Sequence, residues 1–173
     1  MVDGDTLLAL LQAAIEGDDV AVATFVRRTQ PSVWRVCSVL GSPGEVEDLV
    51  QETYLRAFGA LRTFRGEAPV LAWLLSIARR VCADDVRKRQ RIRRLSERMP
   101  TRFRSVPAPS EPLDEVLRYL NPEQREAFVL TQLVGLSYEE AAVAMECPIG
   151  TVRSRVARAR DELARVARAA DAV

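Results

Sequence analysis

The sequence predicts an all-α protein of two small helical domains joined by a flexible linker, the C-terminal domain being a helix-turn-helix. Three observations predict this class. Alanine, leucine, arginine and glutamate, which favour helices, dominate the composition. Apolar residues recur at helical spacing, and we find no strand alternation and no Asn-Gly hairpin turn. The length of 173 residues suits one medium domain or two small ones.

The first predicted domain covers residues 1–90 and contains four helices, over about 5–16, 18–40, 45–59 and 70–88. Each begins or ends at a local signal. Gly17 ends the first helix, and the run Gly41 to Gly44 separates the second from the third. Pro31 is expected to begin a new segment or to kink the second helix, because proline lacks the backbone donor that a helix interior needs.

A flexible basic linker is predicted over residues 91–112, where apolar periodicity is lost and four prolines occur, at positions 100, 107, 109 and 112. The second domain follows over 113–173. Asn121-Pro122 is typical of a helix start, and Ser137 with Glu140 forms a capping box. A turn at 147–150 and a long helix from Thr151 complete a helix-turn-helix pattern.

Composition excludes several classes of function. The chain has no histidine, which removes the commonest acid–base group near neutral pH, and no phosphate-binding or nucleophile motif is found. Three widely spaced cysteines favour buried, reduced thiols over a metal site. We therefore expect no catalytic residues, no metal and no cofactor. No apolar run approaches the roughly 20 residues of a membrane span, and the acidic N-terminus is unlike a signal peptide, so we expect a cytoplasmic protein without membrane insertion.

The net charge of +1 hides separated charged blocks. Eleven arginine and lysine residues lie between Arg79 and Arg104, opposed by three acids, while acids collect at 45–52 and 111–115. Such separation indicates a polyanionic partner and a second, different partner surface.

The last helix has one apolar arc and an opposite face that suits a DNA groove. At about 100° per residue, Val152, Val156, Ala159, Leu163 and Val166 share the arc that packs on the domain. Ser154, Ala157 and Arg158 point away, flanked by Thr151 and Arg155 on one side and by Arg153 and Arg160 on the other. Arginine can grip guanine in a bidentate way, and flanking cations can neutralise phosphates. A solvated arginine face is the alternative; the capped short helix and tight turn before it favour DNA binding.

The run Gly135–Ala142, with residues 147–155 and 158–160, closely resembles the C-terminal domain of extracytoplasmic-function sigma factors of the sigma-70 family. In that family this domain reads the minus-thirty-five promoter element. The resemblance implies six DNA-binding residues: Thr151, Arg153, Ser154, Arg155, Arg158 and Arg160. One departure is Glu146, which stands where the family often has glycine.

The run Asp48–Phe58 resembles the family helix that binds the clamp coiled coil of the polymerase β′ subunit. Asp48, Glu52 and Arg56 are four residues apart and share one exposed face, with Gln51 beside them. The resemblance implies that these four residues, called here the clamp face, contact polymerase. A surface salt-bridge ladder is the alternative for the charges.

The run Ala72–Arg80, continuing to Arg87 and Lys88, resembles the minus-ten recognition helix, and the loop 64–69 resembles the segment that captures an unstacked base. A flipped base needs stacking partners, and a melted strand needs positive charge. The implied residues, called here the minus-ten face, are Phe64, Arg65, Trp73, Arg79, Arg80, Arg87 and Lys88. From the sequence alone, a core position is favoured over a stacking role for Trp73, as it is for Trp34 and Tyr54.

Together these matches predict an alternative sigma factor that binds core RNA polymerase through the β′ clamp and β, directs it to promoter DNA, and helps to open the minus-ten region. An anti-sigma factor is a further candidate partner. The rivals are a stand-alone helix-turn-helix regulator, a helical adaptor and, more distantly, an enzyme.

Overall fold

The computed structural model describes residues 4–96 and 112–170, and within these ranges it is helical with no strand. The helices are α1 (Gly4–Ile15), α2 (Asp19–Leu40), α3 (Val46–Ala60), α4 (Val70–Ser96), α5 (Pro112–Leu117), α6 (Pro122–Phe128), α7 (Tyr138–Met145) and α8 (Ile149–Ala170). A 3-10 turn at Leu61–Thr63 follows α3, and a π-helical turn at Val129–Leu133 continues α6. In the described part of the chain, no helix is both long and apolar enough to cross a membrane.

Helix α2 continues through Pro31, so no new segment begins there, and the alternative that Pro31 kinks the helix stays a prediction. Its start is set by Asp18, whose carboxylate accepts hydrogen bonds from the backbone amides of Val20 (2.8 Å) and Ala21 (3.1 Å). Phe25 and Val33, on either side of the exposed proline, are both completely buried. Packing of this apolar face against the other helices offsets the roughly 3 kcal/mol that an interior proline costs a helix.

Helix α4 extends to Ser96, eight residues beyond the predicted end at Lys88, and so includes the first residues of the predicted linker. Residues 87–95 are all exposed, which explains why apolar periodicity disappears while the helix continues. Arg89 supports this segment by pairing with Asp85 one turn earlier (3.2 Å) and with Glu45 (2.5 Å). Pro112, predicted as linker, is the first residue of α5. Residues 97–111 lie outside the described ranges, so the flexible linker stays a prediction.

The core of the first domain includes a polar contact between α2 and α3. The Tyr54 hydroxyl lies 2.8 Å from Thr29 Oγ1 and donates to the Val26 carbonyl at 3.3 Å. Burial raises the pKa of Tyr54 to about 12, which the hydrogen bond with Thr29 only partly opposes. Tyr54 therefore lies in the core, as predicted.

The three cysteines are free thiols. Cys37 and Cys82 are buried as expected, whereas Cys147 is only half-buried because it lies in the turn between α7 and α8.

The second domain has the predicted helix starts. The Asn121 side chain accepts from the Gln124 amide (2.9 Å), and the Gln124 side chain accepts from the Asn121 amide (3.3 Å). Ser137 and Glu140 form the same reciprocal box at the start of α7, at 3.1 and 2.8 Å. Both boxes satisfy amides that a helix start leaves without partners, so these boundaries are encoded locally.

The two domains pack against each other, with α7 lying on α4 and the π-helical turn lying on α2. Their buried apolar residues form one continuous cluster, which extends from Leu7 to Ala159. This contact between the domains was not predicted from the sequence.

Candidate nucleic-acid and polymerase interfaces

Helix α8 packs on the second domain through the apolar arc predicted from its sequence. Val152, Val156 and Ala159 are at most 1% exposed, while Ser154 and Arg158 are exposed on the opposite side. The helix begins directly after the turn that follows α7, with Thr151 N bonded to the Pro148 carbonyl at 2.8 Å. Burial of one arc therefore fixes which α8 residues can face a groove.

The arginines of α8 fall into two groups. Arg155 donates to Glu123 at 2.6 Å and is only 21% exposed, and Arg160 donates to Gln132 at 2.7 Å. By contrast, Arg153 and Arg158 are exposed, and no described residue is hydrogen-bonded or ion-paired with them. Of the six predicted DNA-binding residues, Arg155 and Arg160 therefore bind other side chains of the domain. The guanidinium groups of Arg153 and Arg158 have no partner among the described residues.

The remaining two predicted residues of α8 are Ser154 and Thr151. The hydroxyl of Ser154 donates to the Thr151 carbonyl at 2.9 Å, which leaves its oxygen free to accept. Thr151 is half-buried. Ser154 is thus the better placed of the two to meet a base edge.

The clamp face lies on α3, opposite the stripe formed by Leu49, Val50, Thr53, Tyr54 and Ala57, all of which are buried. Asp48 and Gln51 are exposed. Arg56 donates to Glu52 at 2.7 Å and, across to α4, to Asp84 at 2.9 Å. The hydrogen bond from Arg56 lowers the pKa of Asp84. The salt-bridge alternative is therefore present on the clamp face, and its contact with polymerase stays a prediction.

Leu55 lies in the middle of this charged surface and is 61% exposed. The sequence reasoning missed it, although an apolar residue outside the buried stripe of an otherwise regular helix was a usable signal. A single exposed leucine is ordinary on a protein surface, so its position among the clamp-face charges is what makes it a candidate contact residue.

The minus-ten face lies along α4 and the loop before it. The rings of Phe64 and Trp73 pack with centroids 4.7 Å apart at 44°. Both are half-buried, so Trp73 is neither a full core residue nor a free platform. Trp34 is 40% exposed, and the prediction that it belongs to the core is wrong, because it lies on the α2 side that carries exposed Pro31 and Arg35.

The positively charged residues of the minus-ten face differ in whether they are exposed or contact the second domain. Arg65, Arg87 and Lys88 are exposed, and Arg87 lies 3.4 Å from Asp84. Arg79 and Arg80, by contrast, point toward the second domain. Arg79 Nε donates to the Ala144 carbonyl at 3.1 Å, and Arg80 forms an ion pair with Glu146.

Glu126 of α6 lies opposite Arg79 and is largely buried. Its Oε1 is 3.0 Å from Arg79 Nε, but it accepts no hydrogen bond, because the single hydrogen on that nitrogen is directed to Ala144. Burial raises the pKa of Glu126, and the nearby cations of Arg79 and Arg155 only partly oppose this. This carboxylate is therefore close to a cation and yet incompletely satisfied.

Among the described residues, no group of histidine, cysteine, aspartate and glutamate side chains could hold a metal ion. The charged and aromatic surfaces described above can bind a partner through charge, stacking and hydrogen bonding.

Comparison with known proteins gives the family. Residues 25–92 match Sigma-70 region 2, and residues 110–163 match Sigma-70, region 4; together they cover more than half of the chain. The chain is 40% identical over 168 residues to the ECF RNA polymerase sigma factor SigC of Mycobacterium tuberculosis, covering 93% of this chain and 91% of that protein. It is 33% identical over 175 residues to the ECF RNA polymerase sigma-E factor of Escherichia coli K12, covering 89% and 90%.

Solved structures agree. CnrH in complex with the cytosolic domain of CnrY has a TM-score of 0.76 at 29% identity, covering 96% of this chain and 99% of that chain. The sigma factor RpoE from Bartonella quintana, in complex with the anti-sigma factor NepR, has a TM-score of 0.71 at 31% identity, covering 85% and 96%. Because these likenesses span both domains, they give no support to a stand-alone regulator with an unrelated N-terminal half. The chain belongs to the extracytoplasmic-function sigma factors of the sigma-70 family, the transcription initiation factors that direct RNA polymerase to promoters.

Proposed function

We propose that the two domains divide the work of promoter recognition. Residues 1–90 bind core polymerase and the minus-ten strand, residues 113–173 bind the minus-thirty-five element, and residues 91–112 connect them. The observation that carries this division is the pair of free guanidinium groups, Arg153 and Arg158, beside Ser154 on the open side of α8. Arginine and serine on the solvent side of a second helix suit base edges and phosphates of a major groove.

The clamp face is proposed to bind the β′ subunit through Asp48, Gln51 and Glu52, with Arg56 holding Glu52 in place. Exposed Leu55 would supply the apolar centre of the contact. Interfaces commonly have such an apolar centre with a polar rim. The combination of residues therefore supports binding of a protein partner at this face, in place of contact with solvent alone.

The minus-ten face is proposed to hold a melted strand. The Phe64–Trp73 pair supplies an aromatic edge against which an unstacked base can lie, and Arg65, Arg87 and Lys88 supply charge for its backbone. Arg79 and Arg80 would join them once they are released from the second domain.

This division implies a factor that acts by binding alone. We propose that the chain makes and breaks no covalent bond and works in the cytoplasm, where polymerase is found. We also propose that an anti-sigma partner restrains it, by analogy with the complex of RpoE with the anti-sigma factor NepR. With a net charge of only +1, the free chain should bind DNA weakly, because affinity grows with the number of phosphates neutralised. Polymerase would hold both domains at fixed spacing and convert two weak contacts into one specific one.

The test is run-off transcription by purified bacterial core polymerase on a pooled genomic library, with and without this protein. New transcripts that share two upstream motifs at constant spacing are expected. Transcripts whose upstream regions share only one motif would contradict the division between the domains, and the absence of new transcripts despite polymerase binding would contradict the initiation role.

A further inference from the structure

A cavity of about 320 Å³ lies where α2 and α4 of the first domain meet α6 of the second. This volume is at the lower end of the roughly 300–1,000 Å³ typical of small-molecule sites. Leu40, Ala83 and Val86 line the cavity from the first domain and Pro122 lines it from the second; these four residues are called here the apolar wall. Arg87 also lines the cavity and is exposed, so a small molecule can enter from the solvent.

Arg125 of α6 lines the same cavity and is a half-buried cation without an anionic partner among the described residues. Its Nε donates to the Leu117 carbonyl at 2.9 Å, and its Nη2 donates to the carbonyls of Arg118 at 3.2 Å and Leu120 at 3.1 Å. Nη1, which carries two hydrogens, donates to no described residue. Burial and the nearby cation of Arg118 lower the pKa of Arg125. An anion in the cavity would supply the charge partner that this guanidinium group lacks.

Glu126, the next residue along α6, lines the cavity and has an unsatisfied oxygen. Its Oε1 is buried and accepts no hydrogen bond, because the hydrogen of Arg79 Nε is directed to Ala144. A buried acceptor without a donor costs free energy, and an N–H group of a ligand would remove that cost. Three arginines outnumber this single acid among the lining residues, so the cavity still attracts an anion. The lining therefore favours a molecule that carries both an anionic group and a hydrogen-bond donor.

We propose that this cavity binds a small amphipathic anion, with an aromatic or other apolar body against the apolar wall, an acidic group at Arg125 and an N–H group that donates to Glu126. A ligand held in this way contacts both domains. It therefore binds best to the arrangement in which the cavity is complete, and binding shifts the population of the chain toward that arrangement. The site gives the chain a chemical input that is separate from its proposed contacts with promoter DNA and polymerase.

The first experiment uses the dye anilinonaphthalenesulfonate, in which an anilino N–H and a sulfonate lie side by side on fused aromatic rings. The dye thus has the three features of the proposed ligand. Its fluorescence increases in apolar surroundings, so the full chain can be titrated without polymerase. One saturable site per chain is expected. Binding without saturation, or no binding, would overturn the proposal.

Substitutions in α4 test whether the dye occupies the cavity. Val86→Glu places a negative charge in the apolar wall at a half-buried residue, and it should weaken dye binding about tenfold. The matched control is Ile92→Glu, which makes the same change of charge at an exposed apolar residue of the same helix, outside the cavity lining. Equal weakening by the two substitutions would overturn the proposal, because net charge alone would then explain it.

A second dye tests the contact with Arg125. Phenylnaphthylamine has the same rings and the same N–H group but no sulfonate. Arg125→Gln should weaken binding of the sulfonate dye about tenfold and change binding of the neutral dye by less than about twofold. If the substitution weakens binding of both dyes equally, Arg125 acts only through its bonds to the carbonyls before α6, and the proposed anion contact is wrong.

Hydrogen exchange of the full chain locates the bound dye independently. Saturating dye should slow amide exchange in α6 and in residues 82–90 of α4 together, because the cavity lies between these two segments. Slowing that is confined to other helices would place the dye elsewhere and overturn the proposal.

Discussion

Replacing Arg158 with alanine should relax the base preference at one position of the minus-thirty-five element and leave the fold intact. Arg158 is exposed on α8, opposite the buried arc, and no described residue binds its guanidinium group. The full donor set is therefore available for a bidentate contact, which is worth about 1–3 kcal/mol of discrimination. That free energy corresponds to a loss of about 5- to 150-fold in preference for the correct base pair.

The assay is in vitro transcription by polymerase carrying this protein, on a library in which the base pairs of the minus-thirty-five element are randomised. Sequencing the transcripts before and after the substitution gives the change in preference at each position. A uniform loss across all sequences would refute the reasoning, because it would mean that Arg158 contacts a phosphate and not a base edge.

The matched control is Arg155→Ala on the same helix. Its guanidinium group is held by Glu123 at 2.6 Å and is mostly buried, so the substitution should lower the stability of the second domain and leave base preference unchanged. Because Glu123 is 68% exposed, the loss should not exceed about 1 kcal/mol. Hydrogen exchange of α6 measures it, and a change in preference at one position would show that Arg155 leaves Glu123 to read DNA.

Three further predictions concern the fold and the clamp face. The pKa of Tyr54 is raised to about 12, so the folded state favours the protonated phenol. The free energy of unfolding should therefore be constant below about pH 10 and fall by about 3 kcal/mol as the pH rises through 12. Urea denaturation should show this loss relative to Tyr54→Phe, and parallel curves for the two proteins would exclude it. Ser137→Ala removes the capping box of α7 and should destabilise that helix by about 1 kcal/mol in hydrogen exchange, whereas Ser154→Ala should have no such effect. Glu52→Lys should weaken binding to core polymerase, measured with immobilised polymerase, far more than Glu47→Lys, which changes an exposed acid of the same helix; equal weakening would remove Glu52 from the clamp face.

Elements encoded by local signals were predictable from the sequence. The helix starts predicted at Asn121 and Ser137 are confirmed, since a side chain that satisfies helix-start amides is visible in a few residues of sequence. The buried stripe of α3 and the apolar arc of α8 were equally visible, because each follows from helical periodicity.

Features that depend on tertiary contacts were not predictable. Pro31 continues a helix because packing on both sides of it outweighs its local cost, and Trp34 is exposed although tryptophan is usually found in cores. The end of α4 was missed because its last residues are solvated on all sides, so no buried face marks the helix.

The candidate site shows the same difference between features that local sequence signals encode and features that depend on tertiary contacts. Residue types and spacing placed Arg153, Arg155 and Arg158 on one helix. They did not show which of these arginines pairs within the protein, because that depends on Glu123 in another helix. The contact of Arg79 and Arg80 with Glu146 joins residues more than sixty positions apart, which no local pattern reveals.

The packing of Trp73 on Phe64 has a spectroscopic consequence. The chain has two tryptophans, and both lie in the first domain, so its intrinsic fluorescence contains no tryptophan signal from the helix-turn-helix. Trp34 lies on the outer side of α2, whereas the Trp73 ring lies 4.7 Å from the aromatic ring that begins the proposed base-capturing loop. A base inserted there would alter the surroundings of one indole only. With Trp34→Phe, emission from the remaining indole becomes a label-free optical signal for the moment at which the promoter strands separate.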